Sequence, residues 1–326
     1  MRKQLSLRKR SGFVGLWALS AVLLAGCGGS AAEAQSAPAQ SGETIIDCDA
    51  GDSLSQAVVD AQDGDTIEVS GECEESVFIP RTLTDLTLDG QESATLIGPS
   101  LDEAPTGRDA FTVFVQGQDI KITGFNISGG VHGIHLSGPS SSAITNNVIT
   151  GTGGAIHIDK QSVAEIAGND IIENSGYGIN IQEGSYARIG FTAPTRGVDG
   201  NTIRDNDGDG VRVDLFSSAW IAGNEIADNN GNGVFVNRSS DAEVLANSIG
   251  GNVQDGIHVL DNASLLMTAQ GAEAPVQEGA NESPEPNGQY GLRCETGGFV
   301  TGEIGTLNGA SADQLVSDSC QTHLKD

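Results

Sequence analysis

The chain has 326 residues, of which 45 are glycine and only 4% aromatic, and its 44 acidic against 16 basic side chains give a formal charge of −28. Such acidity disfavours nucleic acid, anionic lipid and bare polyanionic sugars as partners, and it favours solubility and cation binding.

Residues 1–26 read as an export signal. Arg2, Lys3, Arg8, Lys9 and Arg10 form a basic start, and residues 13–24 are an apolar run too short to span a bilayer. Leu24-Ala25-Gly26-Cys27 resembles the lipobox of bacterial lipoproteins. That resemblance implies that Cys27 carries a diacylglyceryl group and becomes the new N-terminus, so that lipid is the link to a membrane. Several acyl chains at about 0.8 kcal/mol per buried methylene make a stable anchor. Gly28 stands where an aspartate would resemble the inner-membrane retention signal, so the expected location is the outer membrane of the cell. Taking the five leader cations from the 16 leaves 11 basic side chains against 44 acids. Residues 27–43, rich in Gly, Ser, Ala and Gln, read as a lipidated flexible tether, and 44–326 as one domain.

That domain opens with a cap over about residues 48–64. Leu54, Ala57, Val58 and Ala61 fall on one face of a short helix for which Ser53 or Asp52 is a suitable N-cap. From residue 133 one phrase recurs: Gly133-Ile134-His135-Leu136, Ala155-Ile156-His157-Ile158, Gly178-Ile179-Asn180-Ile181, Gly210-Val211-Arg212-Val213, Gly233-Val234-Phe235-Val236, Gly256-Ile257-His258-Val259 and Gly291-Leu292-Arg293-Cys294. The steps are 22, 23, 32, 23, 23 and 35 residues, a core period near 23 with two longer inserts. A period of that length marks a solenoid, whose units bury their apolar faces only against one another.

Within a unit the apolar residues alternate with period two, the signature of strands. Three strands per unit are expected: Gly-Ile-x-Ile, then Ala-x-Ile as in Ala187-Arg188-Ile189, then Asn-x-Ile as in Asn224-Glu225-Ile226. Coils stacked about 4.8 Å apart would hydrogen-bond from one to the next. Asn147, Asn169, Asn201, Asn224 and Asn247 form one corner column, and Asn174, Asn206, Asn229 and Asn252 a second. Asparagine tolerates the left-handed conformation of a tight bend, and stacked amides can bond coil to coil. The stretches 191–199 and 268–288 read as loops budding from turns, and the polar tail 295–326 as a C-terminal cap. With Cys27 assigned to lipid, Cys48, Cys73, Cys294 and Cys320 remain, and in an exported protein they imply disulfides. Of three connectivities, Cys48–Cys73 with Cys294–Cys320 is expected, because it closes one loop at each end, where fraying is easiest.

The pattern resembles the right-handed parallel β-helix repeats of the pectin-lyase-like superfamily, including the family related to the periplasmic copper-maturation protein of nitrous-oxide reductase. Residues 52–61 followed by Gly64-Asp65-Thr66-Ile67-Glu68-Val69 are similar to the superfamily's N-terminal cap. Ile122-Thr123-Gly124-Phe125-Asn126-Ile127 resembles an early coil with an aromatic in the asparagine-ladder position. The resemblance covers about residues 44–309 and implies an all-β fold: a single-stranded right-handed parallel β-helix, three strands per coil, with a short cap helix. It implies no single reaction, since that scaffold carries lyases, hydrolases, epimerases, adhesins and non-enzymes.

Because the flanking aliphatics of the first strand point inward, the residue between them should point out. The expected exposed column is His135, His157, Asn180, Arg212, Phe235, His258 and Arg293, and the resemblance implies that this sheet forms a substrate groove. Asp159 and Asp214, two coils and roughly 10 Å apart, approach the spacing of an inverting hydrolase pair. Arg212 or Lys160 could serve a lyase as base. The carboxylate, Gly-His-Gly and Arg-x-Lys groupings of polygalacturonase-like enzymes and the Asp-Pro-His-Asp motif of alginate epimerases do not occur. His132, His135, His157 and Asp159 could share a copper or zinc ion. Asp205, Asp207 and Asp209 match the first half of an EF-hand loop and could hold calcium, but position twelve is Phe216, so an EF-hand is rejected. Sugar faces stack on aromatic rings, and Trp220, Phe235 and Tyr177 are the rings expected on the surface. The expectation is a monomeric, lipid-anchored envelope protein, binding or structural in role, recognising carbohydrate on the first-strand sheet, with no cofactor required. A polysaccharide lyase or glycoside hydrolase is the alternative, and a periplasmic metal accessory protein the third reading.

Overall fold

Strands of three to six residues have little stability alone, so this chain forms them only by stacking each coil on its neighbours. The computed structural model describes residues 42–103, 106–191, 199–267 and 279–325. The leader, Cys27, most of the tether and the middles of both inserts lie outside the described residues.

The first strands of successive coils, from Val77–Ile79 through His132–Ser137, Gly154–Asp159 and Ile179–Ile181 to Ala312–Val316, pair in parallel as a ten-stranded sheet. The second and third strands make an 18-stranded sheet, joined where Thr87–Ile97 and Ile120–Ser128 run unbroken around a corner. Ile134, Ile156, Ile179, Val211, Val234, Ile257 and Leu292 lie opposite one another in register and are fully buried. Each such side chain contributes about 1.5–3 kcal/mol by leaving water. A slip of one residue would turn this column outward, which pins the register.

The corners are held by side chains. Phe125 N donates to Asn147 Oδ1, and the ladder continues through Asn169, Asn201, Asn224 and Asn247 to Asn281, with backbone N to Oδ1 distances of 2.9–3.1 Å. The second ladder starts at Thr152 and runs through Asn174, Asn206, Asn229 and Asn252 to Asn287. A third, of Ser140, Ser162, Ser185, Ser217 and Ser240, closes another corner and is equally buried. One expectation is corrected: the ladder asparagines are not the left-handed residues. The residue before most of them takes that conformation, as in Asn146 (φ 55°), Asp205 (φ 56°), Asp228 (φ 55°) and Ala246 (φ 54°). The amide is thereby freed to bond the next coil.

At the N-terminal end the helix Leu54–Asp60 is capped by Ser53, whose Oγ accepts from Gln56 N, and it buries Leu54 and Val58 in the mouth of the tube. The disulfides are Cys48–Cys73 and Cys294–Cys320, one at each end. The tail expected to cap the far end is itself wound into the solenoid. Ala312–Val316 pairs with Tyr290–Cys294, and Gln321–Lys325 with Phe299–Glu303, so it adds another coil whose polar residues blunt the last edge.

Candidate functional site

Two outer faces carry chemistry. On the first-strand sheet the expected column, His135, His157, Asn180, Arg212, Phe235, His258 and Arg293, forms in register, and Phe78 and Phe114 extend it towards the N-terminal end. Its expected openness is corrected, since His135, His157, Asn180 and Phe235 are all buried. Strand alternation places these side chains outside the tube, but their neighbours and the preceding turns lean over them. Phe111 stacks on His132 at 5.3 Å between ring centroids, and His132 lies flat on His157 at 4.3 Å. Arg212 sits 4.8 Å above the ring of Phe235.

At the N-terminal half of this column three imidazoles, a phenol and a carboxylate form one group. His135 and His157 face each other on adjacent strands, and Asp159 follows His157 by two residues, which returns it to the same side. Asp159 Oδ2 lies 3.3 Å from His135 Nε2 and 3.8 Å from His157 Nε2. Tyr177 Oη, arriving from the next coil, is 2.5 Å from His157 Nδ1 and 2.8 Å from His132 Nε2. His132 Nδ1 and His135 Nδ1 are 3.4 Å apart. Lys160 Nζ, on an exposed side chain, contacts Asp159 Oδ2 at 3.2 Å and Ser137 Oγ at 3.0 Å.

Burial, with the neighbouring rings, pushes the His132 pKa down to about 2 and that of His157 down to about 4, so both are neutral at pH 7. For Asp159 burial works the other way, but its polar contacts with His135 and Ser137 and the nearby Lys160 ammonium outweigh it and hold the carboxyl well below its usual range. Burial raises the Tyr177 phenol, which stays protonated. The sequence places His132, His135, His157 and Asp159 together; it misses Tyr177 as their partner, because that ring comes from a turn one coil on.

The remaining expected site residues lie elsewhere. Asp214 is held between Arg212 and Arg238, each at 3.1 Å. His258 stands between Asp255 and Glu295, 3.5 Å from each, with Arg293 alongside. Burial lowers His258 and raises Asp255. Asp205 turns a corner and pairs with Arg204, Asp207 accepts from Asn230 Nδ2 at 2.9 Å, and Asp209 accepts from Asn232 N and Nδ2 at 2.8 Å. These three carboxylates are engaged by the turns that carry them.

The second face is a groove of about 320 Å³ on the outside of the second strands, centred on Ser218–Ala222 and Asp241–Leu245. Two outward rows line it. One reads Tyr186, Ser218, Asp241, Ser264, Phe299, and the other Trp220, Glu243, Leu266, Thr301. The short serines between Tyr186 and Phe299 make the floor. Trp220 is half-buried, packs edge-on against Phe191 at 4.9 Å, and its buried Nε1 has no hydrogen-bond partner among the described residues. Burial also raises the pKa of Glu243. Trp220 was legible as outward-facing; the groove was not, since it needs five coils read side by side.

The sequence matches the model of a family described as "Right handed beta helix region" over residues 90–192 and 111–270, together more than half of the chain. No curated protein matches it in sequence. Among solved structures it is similar to pectate lyase Pel9A, at 13% identity over 86% of this chain and 79% of that one, with a TM-score of 0.57. It is similar also to a double mutant of the periplasmic alginate epimerase AlgG (13% identity, 87% and 75% covered, TM-score 0.53) and to the A-module of the Azotobacter vinelandii mannuronan C-5 epimerase AlgE4 (15%, 88% and 90%, TM-score 0.50). These likenesses are of fold: the chain is built on a scaffold that polysaccharide lyases and epimerases also use.

Proposed function

Because the chain belongs to the right-handed β-helix family, whose stacked coils present long ridged faces, we propose that it is an exported, lipid-anchored outer-membrane protein that binds a neutral polysaccharide. The observation that carries this reading is the groove of the second strands. It offers three rings, Tyr186, Trp220 and Phe299, for the apolar faces of sugars, and Ser218, Asp241, Glu243, Ser264 and Thr301 for their hydroxyls. Coils about 4.8 Å apart repeat at a distance comparable to one sugar ring, so a chain lying along the tube meets similar rows at every step. The first-strand face, where recognition was expected, supports this less well, since His135, His157, Asn180 and Phe235 of its column are buried. Carboxylates in the groove and the excess of acids over the whole chain disfavour uronate polymers and favour uncharged sugars.

The test is an array of neutral and anionic glycans probed with the purified protein, with assays for unsaturated products and new reducing ends on each ligand found. Binding of a neutral glycan that falls at least about tenfold in Trp220→Ala and in Phe299→Ala is expected. Binding confined to anionic polymers, or undiminished in both variants, would remove the groove from consideration. Product release would establish the lyase or hydrolase alternative.

A further inference from the structure

We propose that the closed end of the first-strand sheet binds one divalent transition-metal ion between His135 Nε2, His157 Nε2 and the carboxylate of Asp159, with His132 and Tyr177 fixing the ligand rings from behind. The three ligand atoms lie within 4.8 Å of one another, and the Asp159 contacts of 3.3 and 3.8 Å are close to what an ion requires. Bonds of about 2.0–2.2 Å in a tetrahedral arrangement set ligand atoms about 3.4 Å apart. All three side chains are more than nine-tenths buried; among the described residues Asp159 Oδ1 has no hydrogen-bond partner, and His135 Nε2 has only the 3.3 Å approach of Asp159 Oδ2. Buried polar atoms are almost always satisfied, so an unpaired carboxylate oxygen beside two imidazole nitrogens points to a cation shared among them.

The proton positions lead to the same place. His157 Nδ1–H donates to Tyr177 Oη, so His157 Nε2 carries the ring's lone pair, which accepts from the Gln182 amide at 3.1 Å. His132 Nε2–H likewise donates to Tyr177 Oη, so His132 Nδ1 accepts from His135 Nδ1–H. In this arrangement the lone pairs of His135 Nε2 and His157 Nε2 lie on the Asp159 side of the rings, and Asn180 Nδ2, 3.3 Å from His157 Nδ1, is left without an acceptor there. The Lys160 ammonium and the Gln182 amide are the positive groups these atoms now face, and an ion taking their place would meet all three ligands at once. Each proposed ligand imidazole also gives its other N–H to a partner, as metal-bound histidines do. Phe111 and Phe114 wall His135 on the outer side, at 4.4 and 5.2 Å between ring centroids.

Two imidazoles and one carboxylate suit zinc or copper and disfavour calcium and magnesium, which take oxygen ligands. Lys160 shares Asp159 Oδ2, and the Gln182 amide rests on His157 Nε2; both must swing aside for the ion. Lys160 is exposed and free to do so, which makes it a competitor whose removal should tighten binding.

The experiment uses the full chain without a histidine tag, carrying Cys27→Ser so that a free thiol adds no site, stripped with chelator and dialysed against Zn²⁺, Ca²⁺ or Mg²⁺. One zinc per chain is expected, with no calcium or magnesium retained. His135→Gln and Asp159→Asn should each weaken zinc binding by at least about 100-fold, and Tyr177→Phe by about tenfold. Lys160→Ala should strengthen it, and His258→Gln should leave it unchanged. Cobalt bound in place of zinc should give visible d–d absorption that disappears in Asp159→Asn. Circular dichroism of each variant separates a lost ligand from a lost fold. Failure of the wild-type chain to retain zinc overturns the proposal whatever the variants do. So does binding that survives in folded His135→Gln and Asp159→Asn, or that disappears with His258→Gln instead.

Discussion

At the scale of single residues, the corner asparagines do more per atom than the aliphatics of the core. Asn224 accepts at Oδ1 from Asn201 N and Nδ2, and its Nδ2 donates to Ile189 O, Ala222 O and Asn247 Oδ1. Asn224→Ala would strand buried donors on one coil and acceptors on three, where no water reaches. The expected loss is about 2–4 kcal/mol, read as a lower urea midpoint. Phe125, which only starts the ladder, should tolerate exchange for asparagine far better. Glu243 supports a prediction of a different kind. Burial raises its pKa, so on acidification it takes up a proton earlier than an exposed glutamate would. If its carboxylate accepts sugar hydroxyls, glycan affinity should fall as the pH drops towards the carboxylate range, and Glu243→Gln should flatten that profile. An affinity indifferent to pH in the wild-type protein would place Glu243 outside the binding surface.

At the scale of elements, what could be read from the sequence was whatever repeats at near-constant spacing. The period near 23 gave the strands, two asparagine columns, the outward Trp220 and the facing histidines. Asn281 and Asn287 were hidden because the long insert stretches their steps to 34 and 35 residues, yet both occupy the same corners. The serine ladder escaped because serine is common in loops and only its register reveals it. The tail was legible as a terminal element from its polarity, but that it is wound as one more coil was not, since it departs from the repeated phrase. Closure of the histidine column was illegible for another reason, since alternation says which side of a strand a residue faces and nothing of what leans over it. The disulfides belong to this scale as well. Each closes a loop of about 26 residues at one end of the array, which in the loop-entropy account contributes about 3.5 kcal/mol. Because a solenoid opens coil by coil, Cys320→Ser should speed amide hydrogen exchange in residues 290–325 and leave the central coils unaffected. Faster exchange throughout the tube would mean that the coils unfold as one cooperative unit.

At the scale of the whole molecule, the imbalance of charge acts against the fold that carries it. The formal charge of −28 includes five cations in residues 1–10, so the coils carry a still larger excess of acids, and most coils, stacked about 4.8 Å apart, contribute some of them. Cations answer only part of this: Arg188 pairs with Glu165 at 2.7 Å, Arg212 and Arg238 both serve Asp214, and Arg293 serves Asp255 and Glu295. Unfolding lets the remaining charges move apart, so repulsion favours the open chain. Salt shortens the reach of that repulsion, from about 30 Å at 0.01 M to about 10 Å at 0.1 M and 3 Å at 1 M, while the buried ladders and aliphatic columns are hardly screened. The melting temperature should therefore rise steeply between 0.01 and about 0.15 M sodium chloride and continue upward more slowly beyond. If surface ion pairs were instead the main electrostatic contribution, salt would lower the melting temperature. The sign of that slope, measured in a monovalent salt with chelator present so that no ion binding contributes, decides between the two.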